Sequence, residues 1–428
     1  MNKNLTSYHN YSWIILAMGT LVVFGALGLG RFGYSMVLPE MQSVLNLDHT
    51  QAGTLATSNM VGYLAAALGG GFLAARWGIR IVSSLGLFAA GASMLFTGLA
   101  DSFLLLAAWR GLTGLGSGAA NVAIMGIWAA WFSSQKRGLA SGIAVAGSSI
   151  GLIFTGLLVP WLIGEYSDYA WRVSWYIFGA LALALALCAY LVLRNDPSEL
   201  GISEVNKFKK AEKQPEKETE KADQGIKEGE QPSWKQVYLS APVWFLGLIY
   251  IAFGFSYVIY MTFFVTFLVG EHHYSSSEAG NLFMAMGWLS LLCGIIWGSL
   301  SDKVGRKNTL IILFLIHATA FSLFSFGTAP VHFTVSAILF GLTAWSIPGI
   351  IAAACGDMLG AKFAPAALGF VTLFFGLGQA TGPWLAGIIA DATASFSPAF
   401  LLAAAVSVLG AGATALLLTD KYQLKSSN

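Results

Sequence analysis

The sequence is poor in charge. Lys and Arg number 23 and Asp and Glu 21, or 10% of 428 residues, against 56% hydrophobic residues, and mean hydropathy is +0.68. A water-soluble domain carries about a quarter of its residues as charges, so an ordinary soluble fold is excluded and a polytopic membrane chain is implied. Cysteine is scarce: Cys188, Cys293 and Cys355 all lie in apolar runs, which argues against a disulfide framework or a metal cluster. H-E-x-x-H and nucleotide-binding loops are absent, so neither enzyme activity nor a cofactor is expected. Acids are missing from the middle of every apolar run; all 21 fall in loops, at run ends or in one polar stretch.

What is present is apolar runs long enough to cross a bilayer, about 20 residues each. Twelve are predicted, over 13–38, 51–75, 79–100, 102–131, 138–163, 171–193, 241–269, 278–300, 308–328, 331–358, 365–390 and 396–419. The first is too long and too glycine-rich for a cleaved signal peptide and is expected to be retained. Lys and Arg are held on the cytoplasmic side of short loops. An N-terminus inside places 20 of the 23 basic residues on that face and leaves Arg31, Arg110 and Arg172. The opposite face collects Glu40, Asp48, Asp101, Glu165, Asp168, Glu271, Glu278 and Asp391. Both termini are therefore expected in the cytoplasm, in a multi-pass protein of the plasma membrane, or of the inner membrane if the source is bacterial. The basic residues mark topology and form no patch, so no nucleic-acid partner is expected.

The polar stretch 194–239, with its Lys- and Glu-rich core 207–230, has too little to bury and is predicted to be a solvated linker. It divides the chain into 1–193 and 240–428, each with six predicted spans. A short sequence recurs across that divide, as Gly71-Phe72-Leu73-Ala74-Ala75-Arg76-Trp77-Gly78-Ile79-Arg80 and, 227 residues later, as Gly298-Ser299-Leu300-Ser301-Asp302-Lys303-Val304-Gly305-Arg306-Lys307. The same offset maps Gly114 to Gly341, Gly142 to Gly369 and Gly151 to Gly378. Glycine repeats in the fifth and eleventh spans predict close helix packing, since small residues let helices approach in lipid.

These loops resemble the G-x-L-x-D-[RK]-x-G-R-[RK] signature of the major facilitator superfamily. The second copy fits at every fixed position; the first has Ala75 in place of the acid. The resemblance implies an all-α membrane protein of twelve transmembrane helices in two pseudo-symmetric six-helix bundles. It implies a monomer that moves a small solute through the lipid bilayer by alternating access. It also implies that the fifth and eleventh spans form the sliding seam between halves, and that the loop acid and arginines lock the halves on the cytoplasmic side. Arg76, Arg80, Asp302 and Arg306 are thereby expected to act in gating, Asp302 facing the positive N-terminal end of another helix, the fifth being the candidate, with Arg306 as its anchor. Arg110, in Arg110-Gly111-Leu112-Thr113-Gly114-Leu115-Gly116, resembles a second superfamily motif, R-x-x-x-G-x-G, associated with proton coupling or with structural bonds inside the first half; the structural role is favoured.

Arg31 is the sharpest single residue. It precedes Pro39 by eight positions, about 12 Å along a helix, so it lies within the bilayer, where an arginine costs about 2.5–3.5 kcal/mol on insertion scales. A wet cavity, a partner or an anion must offset that cost; snorkelling to the outer interface or pairing with Glu40 is the structural alternative. Its surroundings resemble the first span of the superfamily's organic-anion carriers, which oppose a second arginine from the seventh span. Here that region is Phe253-Gly254-Phe255-Ser256-Tyr257-Val258-Ile259-Tyr260, with hydroxyls and no cation. One guanidinium pairs bidentately with one carboxylate, so a monocarboxylate is expected in preference to a phosphate dianion. Tyr34, Tyr257 and Tyr260 are candidate contacts or aromatic packing. Asn121 is expected either in the cavity or bridging helices. Trp345 is expected to shape the pocket with them and, beside a helix broken by Pro348, to suit a gate. Asn59, Asn281 and Gln379 are weaker candidates. His317, on the ninth span, is expected to be packing.

A secondary or facilitative carrier of small organic anions is therefore the leading expectation. Protons are left open as a co-substrate, because the usual intramembrane carboxylate is absent. An efflux pump for amphiphilic compounds and a non-transporting sensor of the same build are the alternatives.

Overall fold

The computed structural model describes residues 3–200 and 238–418. Most of the proposed linker, 201–237, lies outside the described residues. Among the described residues, eleven helical stretches are long and apolar enough to cross a membrane, and one of them, Gln135–Val192, is 58 residues long and holds two helices. This gives twelve: α1 (Asn10–Leu45), α2 (His49–Trp77), α3 (Ile79–Leu99), α4 (Phe103–Trp131), α5 (Ser134–Tyr166), α6 (Ala170–Val192), α7 (Ala241–Gly270), α8 (Ser276–Val304), α9 (Arg306–Phe326), α10 (Pro330–Gly360), α11 (Ala366–Thr393) and α12 (Ser397–Leu417). No strand occurs among the described residues.

The duplication is written into the helix boundaries. α2 starts at His49 and α8 at Ser276, α3 at Ile79 and α9 at Arg306, α6 at Ala170 and α12 at Ser397, each pair separated by the offset of the signature loops. Gly78 and Gly305 end α2 and α8 with nearly the same left-handed backbone, φ 88° and ψ 149° against φ 88° and ψ 154°. Only glycine adopts that conformation without strain. The break in α10 falls at Leu342–Trp345, upstream of Pro348, which sits in the first turn of the following segment. There its missing N–H is harmless.

α2 packs on α4 within the first half and on α11 across the divide, and α5 packs on α8. At the face opposite the signature loops both seams are closed. A Cβ on Gly53 would lie 2.2 Å from the Pro383 carbonyl oxygen, one on Gly387 2.3 Å from that of His49, and one on Gly156 2.7 Å from that of Gly280. Toward the signature loops the same helix faces part. Gly142 lies two turns before Ser149, and Gly294 two turns after Gly287, so each pair shares a face. Gly287 packs against Ser149, yet a Cβ on Gly142 or Gly294, as on Gly69, Gly71, Gly138, Gly298 or Gly369, would meet nothing within 4 Å. The halves thus meet at the far face and diverge toward the signature loops, enclosing a vestibule open on that side.

Asp391, at the end of α11, fastens the far face. Its carboxylate accepts from the backbone N–H groups of His49 (2.9 Å) and Thr50 (2.8 Å) and from the Thr50 hydroxyl. An acid of the second half therefore caps a helix N-terminus of the first, where unpaired N–H groups and the helix dipole favour negative charge.

Candidate functional site

α1 is not a plain α-helix where it matters. Phe24–Phe32 forms a π-helical segment, closed by the Gly33 N–H donating to the Gly28 carbonyl, five residues back. Glycines make it possible: a Cβ on Gly28 would lie 2.8 Å from the Gly151 Cα of α5, so α1 is pressed against its neighbour backbone to backbone. π turns widen the helix and are frequent at functional sites. Arg110 on α4, fully buried, donates from Nη1 to the Gly30 carbonyl at 2.8 Å. Its guanidinium lies 4.6 Å from the Tyr34 ring centroid and 5.0 Å from that of Trp175. Arg110 is thereby tied to the segment that presents Arg31.

Arg31 itself is 8% exposed and sits where the halves meet. Nη1 donates to the Tyr257 hydroxyl of α7 at 3.3 Å, and the guanidinium lies 4.4 Å from the Tyr63 ring centroid of α2. Nε and Nη2, buried, have no hydrogen-bond partner. Those two donors form the edge of a guanidinium that grips both oxygens of a carboxylate. No acid pairs with Arg31 among the described residues; the ion pairs there are Arg172–Asp101, Arg306–Asp302 and Arg306–Asp357. It neither reaches the outer surface nor engages Glu40.

Around Arg31 the neutral groups bond to one another. Asn121 Nδ2 donates to the Tyr63 hydroxyl (2.8 Å), and Gln379 Nε2 on α11 donates to the Tyr257 hydroxyl. Trp345 Nε1 donates to Ser149 Oγ across the α5–α8 seam (3.1 Å), and Ser290 Oγ donates to the same oxygen (2.7 Å). Trp345 also packs on Phe32, centroids 5.3 Å apart, and edge-on to Tyr257 at 6.4 Å. On the far side of Arg31 a chamber of about 10 Å³, room for roughly one water, is lined by Arg31, Tyr34, Met60, Arg110, Met261 and Thr262 among others. A larger groove of about 680 Å³ lies between α9, α10 and α12, away from these groups.

Of the residues proposed from sequence, Arg31, Asn121, Tyr257 and Trp345 come together. Tyr34 reaches only the small chamber, its hydroxyl donating to the Ala52 carbonyl at 2.8 Å. Tyr260 is not brought to the group: its hydroxyl pairs with Ser336 at 2.7 Å, inside a cage of Phe264, Phe321, Phe324 and Phe340. His317 is buried against Phe253, Phe321 and Phe340. Tyr63, Phe375 and Ser149 join the group without having stood out in the sequence.

At the signature loops, Arg306 pairs with Asp302 at 2.5 Å and with Asp357 at 3.0 Å, all within the second half. Among the described residues no ion pair or hydrogen bond joins Asp302 to α5; its carboxylate meets Arg306. Arg80 ties the first loop to the end of α6, donating from Nε to the Tyr190 carbonyl at 2.6 Å, while its backbone N–H meets Asn195. Arg76 is exposed.

Known proteins share this architecture. Residues 20–275 match the Major Facilitator Superfamily and residues 222–415 match "Uncharacterised MFS-type transporter YbfB". A probable hexose phosphate transport protein of Chlamydia pneumoniae is 26% identical over 65% of this chain, which spans 62% of that relative's length. The hexuronate transporter of Bacillus subtilis (strain 168) is 25% identical over 89% of this chain and 88% of its own. Among solved structures, a bacterial homolog of the human lysosomal transporter Spinster, inward-facing and occupied, superposes with a TM-score of 0.72 at 16% identity, covering 97% of this chain and 99% of its own. The superfamily match covers more than half the sequence, the fold agrees end to end, and the chain is therefore a membrane transporter belonging to the Major Facilitator Superfamily.

Proposed function

We propose that this transporter carries small organic anions bearing one negative charge, monocarboxylates above all, and that Arg31 is their anchor. The observation that carries the reading is the buried guanidinium with Nε and Nη2 unpartnered and no acid beside it. A buried charge needs a counter-charge, and here an anionic solute supplies it. Relatives named for hexuronate and hexose phosphate transport accord with an anionic cargo. Among the described residues the second half sets no cation against Arg31, its partner there being the Tyr257 hydroxyl, and this favours one charge over two.

The two seams support a cycle of alternating access. In the present state the vestibule opens toward the signature loops, the side that the Lys and Arg distribution assigns to the cytoplasm, and the far face is shut. Substrate at Arg31 draws the halves together through Trp345, which touches Phe32 and Ser149 of the other half. With no carboxylate at mid-span, a coupled proton travels with the substrate acid or along a path that uses no acidic relay.

Uptake by proteoliposomes of labelled mono-, di- and uncharged solutes, with and without a pH gradient, tests the reading. Parent protein is expected to prefer a monoanion, and Arg31→Gln to lose at least about 90% of that flux. Undiminished anion uptake by Arg31→Gln, or a preference for cations, overturns it.

A further inference from the structure

The groups around Arg31 carry more than a charge preference. We infer that the cargo is an anion with a flat apolar body, an arylcarboxylate, and not a polyhydroxylated sugar acid; this rests on Arg31 being the anion anchor. The first argument is the balance of donors and acceptors. Arg31 offers Nε and Nη2. The Tyr257 hydroxyl accepts from both Arg31 and Gln379, so its own hydrogen stays free to donate, and the same holds for Tyr63, which accepts from Asn121. Free donors suit carboxylate oxygens, which only accept.

A sugar acid carries several hydroxyls, each of which must donate to something once it leaves water. The acceptors here are few. Ser149 Oγ is already taken by Trp345 and Ser290, leaving chiefly the amide oxygens of Asn121 and Gln379. Hydroxyls bound beside Arg31 would largely lack acceptors.

The second argument is the wall. Tyr257 stands in a near-parallel stack with Phe253 (4.8 Å, 14°) and Phe375 (5.8 Å, 8°), and Phe375 with Tyr250 (4.5 Å, 15°). Trp345 meets this stack edge-on. Tyr63, Trp345 and Phe375 remain partly open, so three rings beside the anion anchor offer faces or edges to a ligand. Aromatic rings pair in offset and edge-to-face arrangements at such spacings. A carboxylate held on the Arg31 edge places its attached ring among them.

Calorimetric titration of the detergent-solubilised full-length protein with phenylacetate, glucuronate and 2-phenylethanol separates the outcomes. Phenylacetate is expected to bind at least about tenfold tighter than glucuronate, and 2-phenylethanol, which lacks the charge, at least about tenfold weaker than phenylacetate. Phe375→Leu and Trp345→Leu are expected to narrow the phenylacetate-to-glucuronate ratio, and Arg31→Gln to abolish binding of both acids. Glucuronate binding as tightly as phenylacetate overturns the arylcarboxylate inference and leaves the anion anchor standing. If 2-phenylethanol matches phenylacetate, or neither acid binds, the anchor itself falls. The ligand comparison is made on the parent protein, so poorly folding variants do not blunt it.

Discussion

The two halves share a scaffold and differ in what it holds. With the same offset that aligns their helix boundaries, Arg31 corresponds to Val258, Arg110 to Ala337 and Tyr34 to Met261. The first half thus buries two guanidiniums that the second lacks, while the second supplies the stack of Phe253, Tyr257 and Phe375. At the signature loops the imbalance reverses: Asp302 and Asp357 engage Arg306 in the second half, and Ala75 leaves the first without an equivalent acid. Hinges and seams, which demand matching geometry, have stayed alike. Chemistry has been divided, with charge assigned to one wall of the vestibule and aromatic surface to the other.

The sharpest way to break this comparison is to treat the two arginines of the first half as equals. They are not expected to behave so. Arg110→Gln strands the Gly30 carbonyl in the π-helical segment, a loss of about 1–3 kcal/mol for a buried unsatisfied group. It should lower the thermal midpoint and abolish uptake together. Arg31→Gln removes an uncompensated buried charge and should leave the midpoint unchanged or raised while uptake disappears. Equal destabilisation by both, measured by thermal unfolding in detergent, would place Arg31 among the structural residues.

Next in size is the loop imbalance. Asp302→Asn is expected to cut transport several-fold, because closing the vestibule must bring the loop acid to the facing half, where a helix N-terminus favours it. Ala75→Asp should change transport little. The exposed pair with Arg306 adds at most about 1 kcal/mol to the present state, so stability is expected to move much less than flux. Equal flux from the two variants contradicts a gating role for this acid.

How much of this could be read from sequence differs by the range of the interaction. α3, predicted over 79–100, spans Ile79–Leu99, and the offset of 227 is visible in the glycines without any helix being placed, because hydropathy and backbone conformation are local. Arg31 stands out because charge in a bilayer is costly wherever it occurs. Tyr260 misleads for the opposite reason. α7 is buried at every position from Ser256 to Leu268, so no polar face distinguishes Tyr257, which meets Arg31, from Tyr260, which meets Ser336. The π-helical segment is illegible in the sequence because its Gly30 carbonyl is met by Arg110, 80 positions away. The far-face cap by Asp391 depends on how two halves dock, and no periodicity encodes that.

That cap makes a smaller, directional prediction. Asp391→Asn weakens contacts that exist only while the far face is closed. The carboxylate is largely exposed, so solvent screening limits its worth to about 0.5–1 kcal/mol, a shift of about two- to fivefold in the balance of states. Spin-label distances across the α2–α11 far-face seam should show a larger open fraction in the variant. An unchanged distribution would mean that glycine packing alone, Gly53 on Pro383 and Gly387 on His49, holds the seam.

The mildest test addresses the bond that joins charge to aromatic wall. Tyr257→Phe keeps the ring and its stack but removes the acceptor of Arg31 Nη1 and of Gln379 Nε2. Arg31 would stay in place, held by the Tyr63 face, with a third nitrogen unpaired. The anion loses the hydroxyl as a donor, one hydrogen bond of about 0.5–1.5 kcal/mol, so KM for an anion is expected to rise about two- to tenfold with the maximal rate nearly unchanged. A collapse of the maximal rate at constant KM would assign Tyr257 to the closing motion between halves, because an interaction made only on the way to the closed state lowers turnover without weakening ground-state binding.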